Sequence, residues 1–295
     1  MFSRRHPYLF FILIFTGIVC AVILGTSVLI AVYGRGSDFD FREKVGVIEI
    51  SGVISDSRET VDALKEFREN ETIKAIVVRI DSPGGGVGPS QEIFREIQKT
   101  VPKKKVVASM GGVAASGGYY IAAGTDAIFA NPGTITGSIG VIMGFTNFQT
   151  LLDKIGLVPV VIKSGEYKDT GSPVRKMTDT ERKMLQALAE SIHQQFIQDV
   201  ALGRKREVSQ IQALADGRIF TGEEAQSLGL VDQLGNLEDA IEWAARQSGI
   251  QGKVSTVYAR EKRFSLIRYL LESSLDSIVD QALNTRLHGG YLYLP

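Results

Sequence analysis

Four times along this chain a run of residues suited to a buried strand ends in a cluster of small residues. The clusters are Gly84-Gly85-Gly86, Gly117-Gly118, Gly137-Ser138-Ile139-Gly140 and Ser164-Gly165. Residues 45–50, 73–80, 105–109, 127–130, 138–143 and 158–162 read as strands, rich in Val and Ile. Residues 61–70, 91–99, 118–123, 148–155 and 179–206 carry helical spacing. Strands alternating with helices predict parallel pairing through crossover helices, an α/β layered fold. In such a sheet the turns after the strands gather at one edge, where ligands bind. Gly84-Gly85-Gly86 and Ser116 can therefore meet in space.

The stretch from Gly111 to Ala123 carries the sharpest chemical signal. Ser116 is flanked by Ala114, Ala115, Gly117 and Gly118. Small residues permit a sharp turn and a close approach by another chain segment. A Ser on a strand-to-helix turn exposes its hydroxyl and leaves the next backbone N–H without an intrahelical partner. One turn thus supplies a nucleophile and half an oxyanion hole. The competing reading is an ordinary Ser N-cap. Three successive glycines at 84–86 offer bare amides to an anion. The segment lacks the Lys-Ser/Thr of a phosphate-binding loop, so a developing oxyanion fits better than a phosphate.

A nucleophilic Ser needs a base. The three His residues, His6, His193 and His288, sit in unpromising contexts. Lys168, just past the run 158–162, is the available candidate. An ammonium can serve only if burial strips its proton near neutral pH; the alternative is a surface-loop Lys. Ser138 could hydrogen-bond the ammonium or relay a proton, or be a plain turn residue. The formal net charge is zero, which argues against nucleic acid as the main partner. Cys20 is the single cysteine, so neither an intrachain disulfide nor a Cys-based metal site is expected.

From Pro7 to Gly34 no charged residue occurs, about 28 positions, enough to cross a ~30 Å hydrocarbon core as a helix. Arg4 and Arg5 precede it, which places the N-terminus in the cytoplasm and the bulk of the chain outside. A cleaved signal peptide would have a shorter apolar region and a small-x-small site, so an uncleaved single-pass anchor is the reading adopted.

Five motifs stand in order: Asp81-Ser-Pro-Gly-Gly-Gly-Val87, Ala115-Ser-Gly-Gly-Tyr-Tyr120, Thr136-Gly-Ser-Ile-Gly-Val141, Lys163-Ser-Gly-Glu-Tyr-Lys-Asp169 with Ser172-Pro173, and the run from Gly217 to Asp232. Together, over residues 45–246, they resemble the SppA-type signal peptide peptidases, in the short, single-repeat form with one N-terminal anchor. The resemblance implies a Clp protease/crotonase-like fold and a serine endopeptidase with a Ser-Lys dyad and no cofactor. It makes Ser116 the nucleophile, Lys168 the general base and later acid, and Ser138 the residue that orients the Lys. It assigns the oxyanion hole to the N–H groups of Gly85 and Gly117, with Gly86 a near alternative. It implies remnant signal peptides and similar apolar peptides as substrates, met at the bilayer of the cytoplasmic (inner) membrane. It also implies a homo-oligomeric ring or dome, with the dyad within one chain or between adjacent ones.

On this reading the chain comprises a cytoplasmic N-terminus (1–6), an anchor (7–34), a linker (35–44), a peptidase domain (45–250) and a C-terminal helical and tail segment (251–295). Residues 264–287 carry apolar side chains at helical spacing for core or subunit packing. The apolar tail after Gly289-Gly290 is expected to reach a substrate groove, its own or a neighbour's. Apolar pockets lined by residues such as Met143 and Phe145 would favour apolar substrate side chains. Two other functions fit the same fold: a crotonase-like acyl-thioester enzyme, and a non-catalytic peptide-binding scaffold. The first would not need Ser116, Lys168 or an anchor.

Overall fold

The computed structural model describes residues 7–33, 43–259 and 290–292. The chain divides into two compact units, residues 1–42 and 43–295. In the first, α1 (Pro7–Tyr33) is a 27-residue helix with no acidic or basic side chain. The Thr16 and Thr26 hydroxyls donate to the carbonyls of Ile12 and Val22, so neither depends on water for a partner. Side chains are described without a break only over 14–27, and among the described residues no helix is long and apolar enough to cross a membrane.

The second unit is built on a twisted sheet. Its first strands are β1 (Lys44–Ser51), β2 (Ile73–Ser82), β4 (Lys105–Ala115), β5 (Ala127–Ala130) and β6 (Ile135–Gly137), with the short β3 (Gly84–Gly86) set apart. Helices α2 (Arg58–Glu69), α3 (Val87–Thr100) and α4 (Gly117–Ala123) alternate with them. After β6 come α5 (Gln149–Ile155), the long α6 (Asp179–Arg204), α7 (Val208–Gln212), β7 (Ile219–Thr221), α8 (Gly222–Ser227), β8 (Gln233–Leu234), α9 (Leu237–Gln247), β9 (Ser255–Tyr258) and β10 (Gly290–Leu292). The sheet order is β7-β6-β4-β2-β1-β9, with β5 also beside β4 and β8 beside β5. Every pairing in it is parallel except β6 with β7. The expected α/β layered architecture is therefore present.

Period-two alternation decides which face each strand residue covers. Val45, Val47, Ala75 and Val77 pack under α9 with Ala240, Ile241 and Ala244. Ile48, Ile76, Val78 and Ile80 face the other side, with Leu64, Ile93, Ile97 and Phe196. Burial on both faces explains why the central strands are apolar almost throughout. Each fully buried Val or Ile contributes ~1.5–3 kcal/mol relative to exposure. Helix α4 lies at the centre of this packing. The Tyr120 ring sits 5.2 Å from that of Phe94 and 4.7 Å from that of Phe196. The Tyr119 hydroxyl donates to the Leu230 carbonyl at 3.0 Å, which anchors the opposite side of the helix.

Two expected strands are absent. Residues 158–162 form no strand, and Val158 and Val160 are each 83% exposed and Ile162 96%. Pro159 removes a ladder donor, and among the described residues no strand pairs with the segment. Residues 138–143 are likewise no strand: pairing ends at Gly137, because Gly137 and Ser138 both adopt positive φ, 78° and 51°. Helix α5 forms where expected, but none of its residues is buried. The helical pattern at 264–287 lies outside the described residues.

Helix α6 meets α4 at Gly203, where an added Cβ would fall on the Ala123 carbonyl. Helix propensity alone would make Gly203→Ala stabilising by about 1 kcal/mol. The contact reverses the sign, and the substitution is expected to cost roughly 1–3 kcal/mol. The urea midpoint measures it; a rise would show that the two helices do not touch there.

Candidate active site

Strand β4 runs straight into the turn at Ser116. Its last residues are held from three directions. The Val113 N–H donates to the Asp81 carboxylate at 3.1 Å, the Thr134 hydroxyl to the Gly111 carbonyl at 2.7 Å, and the Thr136 hydroxyl to the Ala114 carbonyl at 2.7 Å. Ser116 then takes φ 53° and ψ −117°, a positive-φ conformation that non-glycine residues rarely enter. Its N–H donates to the Gly137 carbonyl at 2.9 Å. It occupies the N-cap position of α4, but its side chain makes no capping hydrogen bond. The residue is 1% exposed, and its Oγ is buried with no hydrogen-bond partner. A buried, unsatisfied hydroxyl on a strained turn costs free energy. An N-cap role does not offset that cost, since the hydroxyl makes no capping bond.

The glycine strand β3 lies against this turn. A Cβ on Gly117 would come within 2.5 Å of Ser90 Oγ and 3.2 Å of the Gly85 nitrogen. The Gly86 N–H is spent on the Ile54 carbonyl at 2.7 Å, and the Gly84 N–H reaches Ser82 Oγ at 3.0 Å. Gly85 therefore presents its N–H and C=O to the opposite edge of β3. The Gly117 N–H opens α4 and has no intrahelical acceptor. Of the three glycines, Gly85 and not Gly86 has an amide facing away from the body of the fold. The Ser90 hydroxyl, which donates to the Gly86 carbonyl at 2.9 Å, fills the space that a Gly117 side chain would need. Sequence reading missed Ser90, because a Ser three residues into a helix has no local signature.

Ser138 follows the same logic one strand over. Ala115 pairs with Gly137 in the β4–β6 register, so Ser116 and Ser138 leave adjacent strands side by side. Ser138 is 8% exposed, and its N–H donates to the Arg218 carbonyl at 2.8 Å. His193 bonds through Nε2 to the Ile139 carbonyl at 3.1 Å, so it braces the Ser138 turn and has no contact with Ser116.

Lys168 makes no hydrogen bond to the Ser116 hydroxyl in the single chain, and its side chain is exposed. Its loop is held instead by charges around it. Asp169 pairs with Lys163 at 2.7 Å and with Arg175 at 2.8 Å, and Arg175 also pairs with Glu181 at 2.5 Å. Hydrogen bonds from Arg175, joined by the Thr178 backbone N–H, bring the Glu181 carboxyl down to about 2. Arg175 and Lys163 hold the Asp169 carboxyl well below the usual range. A cavity of about 770 Å³ lies beside this loop, lined by Met143, Phe145, Met177, Leu185 and Arg182 among others. Among the described residues no group of three or more His, Cys, Asp or Glu could hold a metal.

The free edge of β3 is occupied by the end of the chain itself. Gly290, Tyr291 and Leu292 pair antiparallel with Gly86, Gly85 and Gly84. The edge beside Ser116 thus accepts an extended backbone.

Two family models match the chain: peptidase family S49 over residues 98–251, and Clp protease over residues 45–134. A putative protease of Synechocystis sp. is 45% identical over 242 residues, covering 81% of this chain and 87% of the relative. A putative signal peptide peptidase SppA of Enterococcus faecium is 38% identical over 216 residues, 68% of this chain and 62% of that protein. A putative protease of Methanocaldococcus jannaschii is 30% identical over 282 residues, 89% and 91% of the two chains.

Two outcomes follow from this geometry. Carboxyls whose folded values are depressed hold the loop above their unfolded range and release it as pH falls through the folded value. Hydrogen exchange at 163–178, corrected for intrinsic rates, is expected to stay flat from pH 7 to about 5 and to rise as pH drops from the usual carboxylate range near 4.5 toward about 2. Loosening already at pH 6 would contradict the clamp. Removal of residues 290–295 should free the β3 edge and lower KM for a short apolar peptide ester; an unchanged KM would show that the tail does not compete there.

Proposed function

The chain belongs to peptidase family S49, and from that premise we propose that this serine protease is a membrane-anchored endopeptidase that cleaves remnant signal peptides and similar apolar peptides with a Ser116–Lys168 dyad. The observation that carries the reading is the Ser116 hydroxyl: buried, without a partner, on a strained turn beside two backbone amides. Ser116 Oγ attacks the scissile carbonyl, and its proton passes to Lys168 Nζ. The oxyanion of the tetrahedral intermediate accepts hydrogen bonds from the N–H groups of Gly85 and Gly117. Lys168 then protonates the leaving amine. A water molecule, deprotonated by the same amine, hydrolyses the acyl-enzyme. Ser138, adjacent to Ser116 through the β4–β6 register, orients the ammonium.

An extended peptide adds to the β3 edge where the chain's own residues 290–292 pair, which supports a backbone-read, apolar substrate. An acyl-thioester enzyme or a scaffold would have no use for the orphan hydroxyl. Lys168 is exposed in the single chain, and the apolar segment beside it is uncovered. Assembly of copies into a ring or dome would cover that segment and bring an ammonium to Ser116, from the same chain or an adjacent one. The charge-free α1 (Pro7–Tyr33), preceded by Arg4 and Arg5, is the proposed single-pass anchor in the cytoplasmic membrane. It would keep the catalytic unit outside the cytoplasm and close to membrane-held peptides.

The test is hydrolysis of an apolar peptide ester by wild type, Ser116→Ala, Lys168→Ala and the double variant. A dyad acts as a unit, so all three variants should fall to a similar floor, down by about 10³-fold or more. The wild-type rate should rise with pH, since only the neutral amine accepts a proton. Retained turnover in Lys168→Ala would overturn the mechanism.

A further inference from the structure

We infer that Arg175 is a positioning residue for Lys168, fixing the base-bearing loop through a two-carboxylate fork on Asp169 and Glu181; this rests on the reading of Lys168 as the base. The segment 157–178 contains neither helix nor strand. The apolar side chains of its first part give it no hold on the core, since Val158, Val160 and Ile162 are exposed. Two bonds tie its far end to α5 and the residues before it, from the Phe148 N–H to the Pro173 carbonyl at 2.6 Å and from the Asn147 amide to the Arg175 carbonyl at 2.7 Å; the turn that carries Lys168 is fixed by one guanidinium. Arg175 Nε donates to Asp169 Oδ2 at 2.8 Å, and Nη2 to Asp169 Oδ1 at 2.9 Å and to the Asp169 carbonyl at 3.1 Å. Its other side reaches Glu181, from Nη1 to Oε2 at 2.9 Å and from Nη2 to Oε1 at 2.5 Å. All three guanidinium nitrogens are engaged.

The two carboxylates belong to different parts of the fold. Asp169 follows Lys168 directly in the chain. Its backbone carbonyl and both carboxylate oxygens are held, which leaves the preceding residue little freedom. Lys163 closes the other end of the turn, donating to Asp169 Oδ1 and to the Glu166 carbonyl, both at 2.7 Å. Glu181 is 2% exposed and belongs to the first turn of α6. It is locked there by a capping box, with its carboxylate accepting from the Thr178 N–H at 2.8 Å and its own N–H donating to the Thr178 hydroxyl at 3.2 Å. Thr170 adds a bond from its hydroxyl to Glu181 at 3.3 Å. Arg175 is therefore the link between an exposed catalytic loop and a rigid helix. A planar fork can bond both oxygens of two carboxylates at once; an ammonium, with three donors, cannot.

The experiment uses the full-length protein and an apolar peptide ester. Arg175→Gln and Asp169→Asn are each expected to lower kcat by about 10–100-fold, the scale of a misplaced catalytic group. KM should stay within about twofold, because ground-state binding is untouched. Arg175→Lys should recover part of kcat. In a Lys168→Ala background, Arg175→Gln should cost nothing further, since a residue that acts only through Lys168 has nothing left to position. Melting by circular dichroism accompanies each variant, and Asp169→Asn carries the test if Arg175→Gln does not fold. Wild-type kcat in Arg175→Gln beside an inactive Lys168→Ala would overturn this inference and leave the dyad standing. A further loss in the Lys168→Ala background would also overturn it. Wild-type turnover in Lys168→Ala would remove the base reading and the inference with it.

Discussion

Two backbones meet with no side chain between them, and the rest of the site depends on that approach. The turn at Gly117 lies so close to β3 that a Cβ there would come within 3.2 Å of the Gly85 nitrogen, and would collide with Ser90 Oγ of α3 as well. On the other side of β3, the Ile54 backbone leaves no room for a Cβ on Gly85 and claims the Gly86 N–H. Sandwiched in this way, β3 has one direction left for the Gly85 amide. That direction is the open edge, the edge on which Gly290–Leu292 pairs. In the proposed function, peptide pairing and oxyanion binding would both rest on this single steric constraint. Gly85 could not carry a methyl group without displacing this backbone, since the added carbon would fall 2.2 Å from the Ile54 carbonyl oxygen.

The turn at Ser116 is expensive, and its surroundings hold it in place. A non-glycine residue with positive φ costs on the order of 1–3 kcal/mol. Against this stand the hydrogen bonds that over-determine the end of β4: the Asp81 carboxylate, the Thr134 and Thr136 hydroxyls and the Gly137 carbonyl. Each contributes roughly 0.5–1.5 kcal/mol net. The ring of Tyr120 between Phe94 and Phe196 fixes the helix that starts at the turn. Strain at one residue is therefore offset by a rigid strand before it and a packed helix after it.

Much of this was legible in the sequence. The strands at 45–50, 73–80, 105–109 and 127–130 were readable because both of their faces are buried, and continuous Val-Ile runs admit few other structures. The Ser116 turn was readable because only small residues can make it. What failed did so for tertiary reasons. Residues 158–162 look like a buried strand, but strand formation needs a partner, and none pairs there among the described residues. The 138–143 run is apolar enough, yet the positive φ at Gly137 and Ser138 breaks the ladder before it. Ser90 and the Arg175 fork were invisible because neither has a local pattern: one is defined by a gap across the fold, the other by two carboxylates separated along the chain.

The Lys168 loop shows what one chain leaves unfinished. Val158, Val160 and Ile162 stand in water although each would contribute ~1.5–3 kcal/mol if covered. Drying an ammonium costs several kcal/mol. In the proposed assembly one surface would do both: covering the apolar segment supplies the free energy that stripping water from the amine consumes. Such a coupling requires the loop to keep its shape before the partner arrives, since a flexible loop would spend the same free energy on ordering itself, at 1–2 kcal/mol per residue. The fork from Arg175 to Asp169 and Glu181 meets that requirement within the single chain. Order is thus supplied by ionic bonds that tolerate water, and dryness is left to the contact that excludes it.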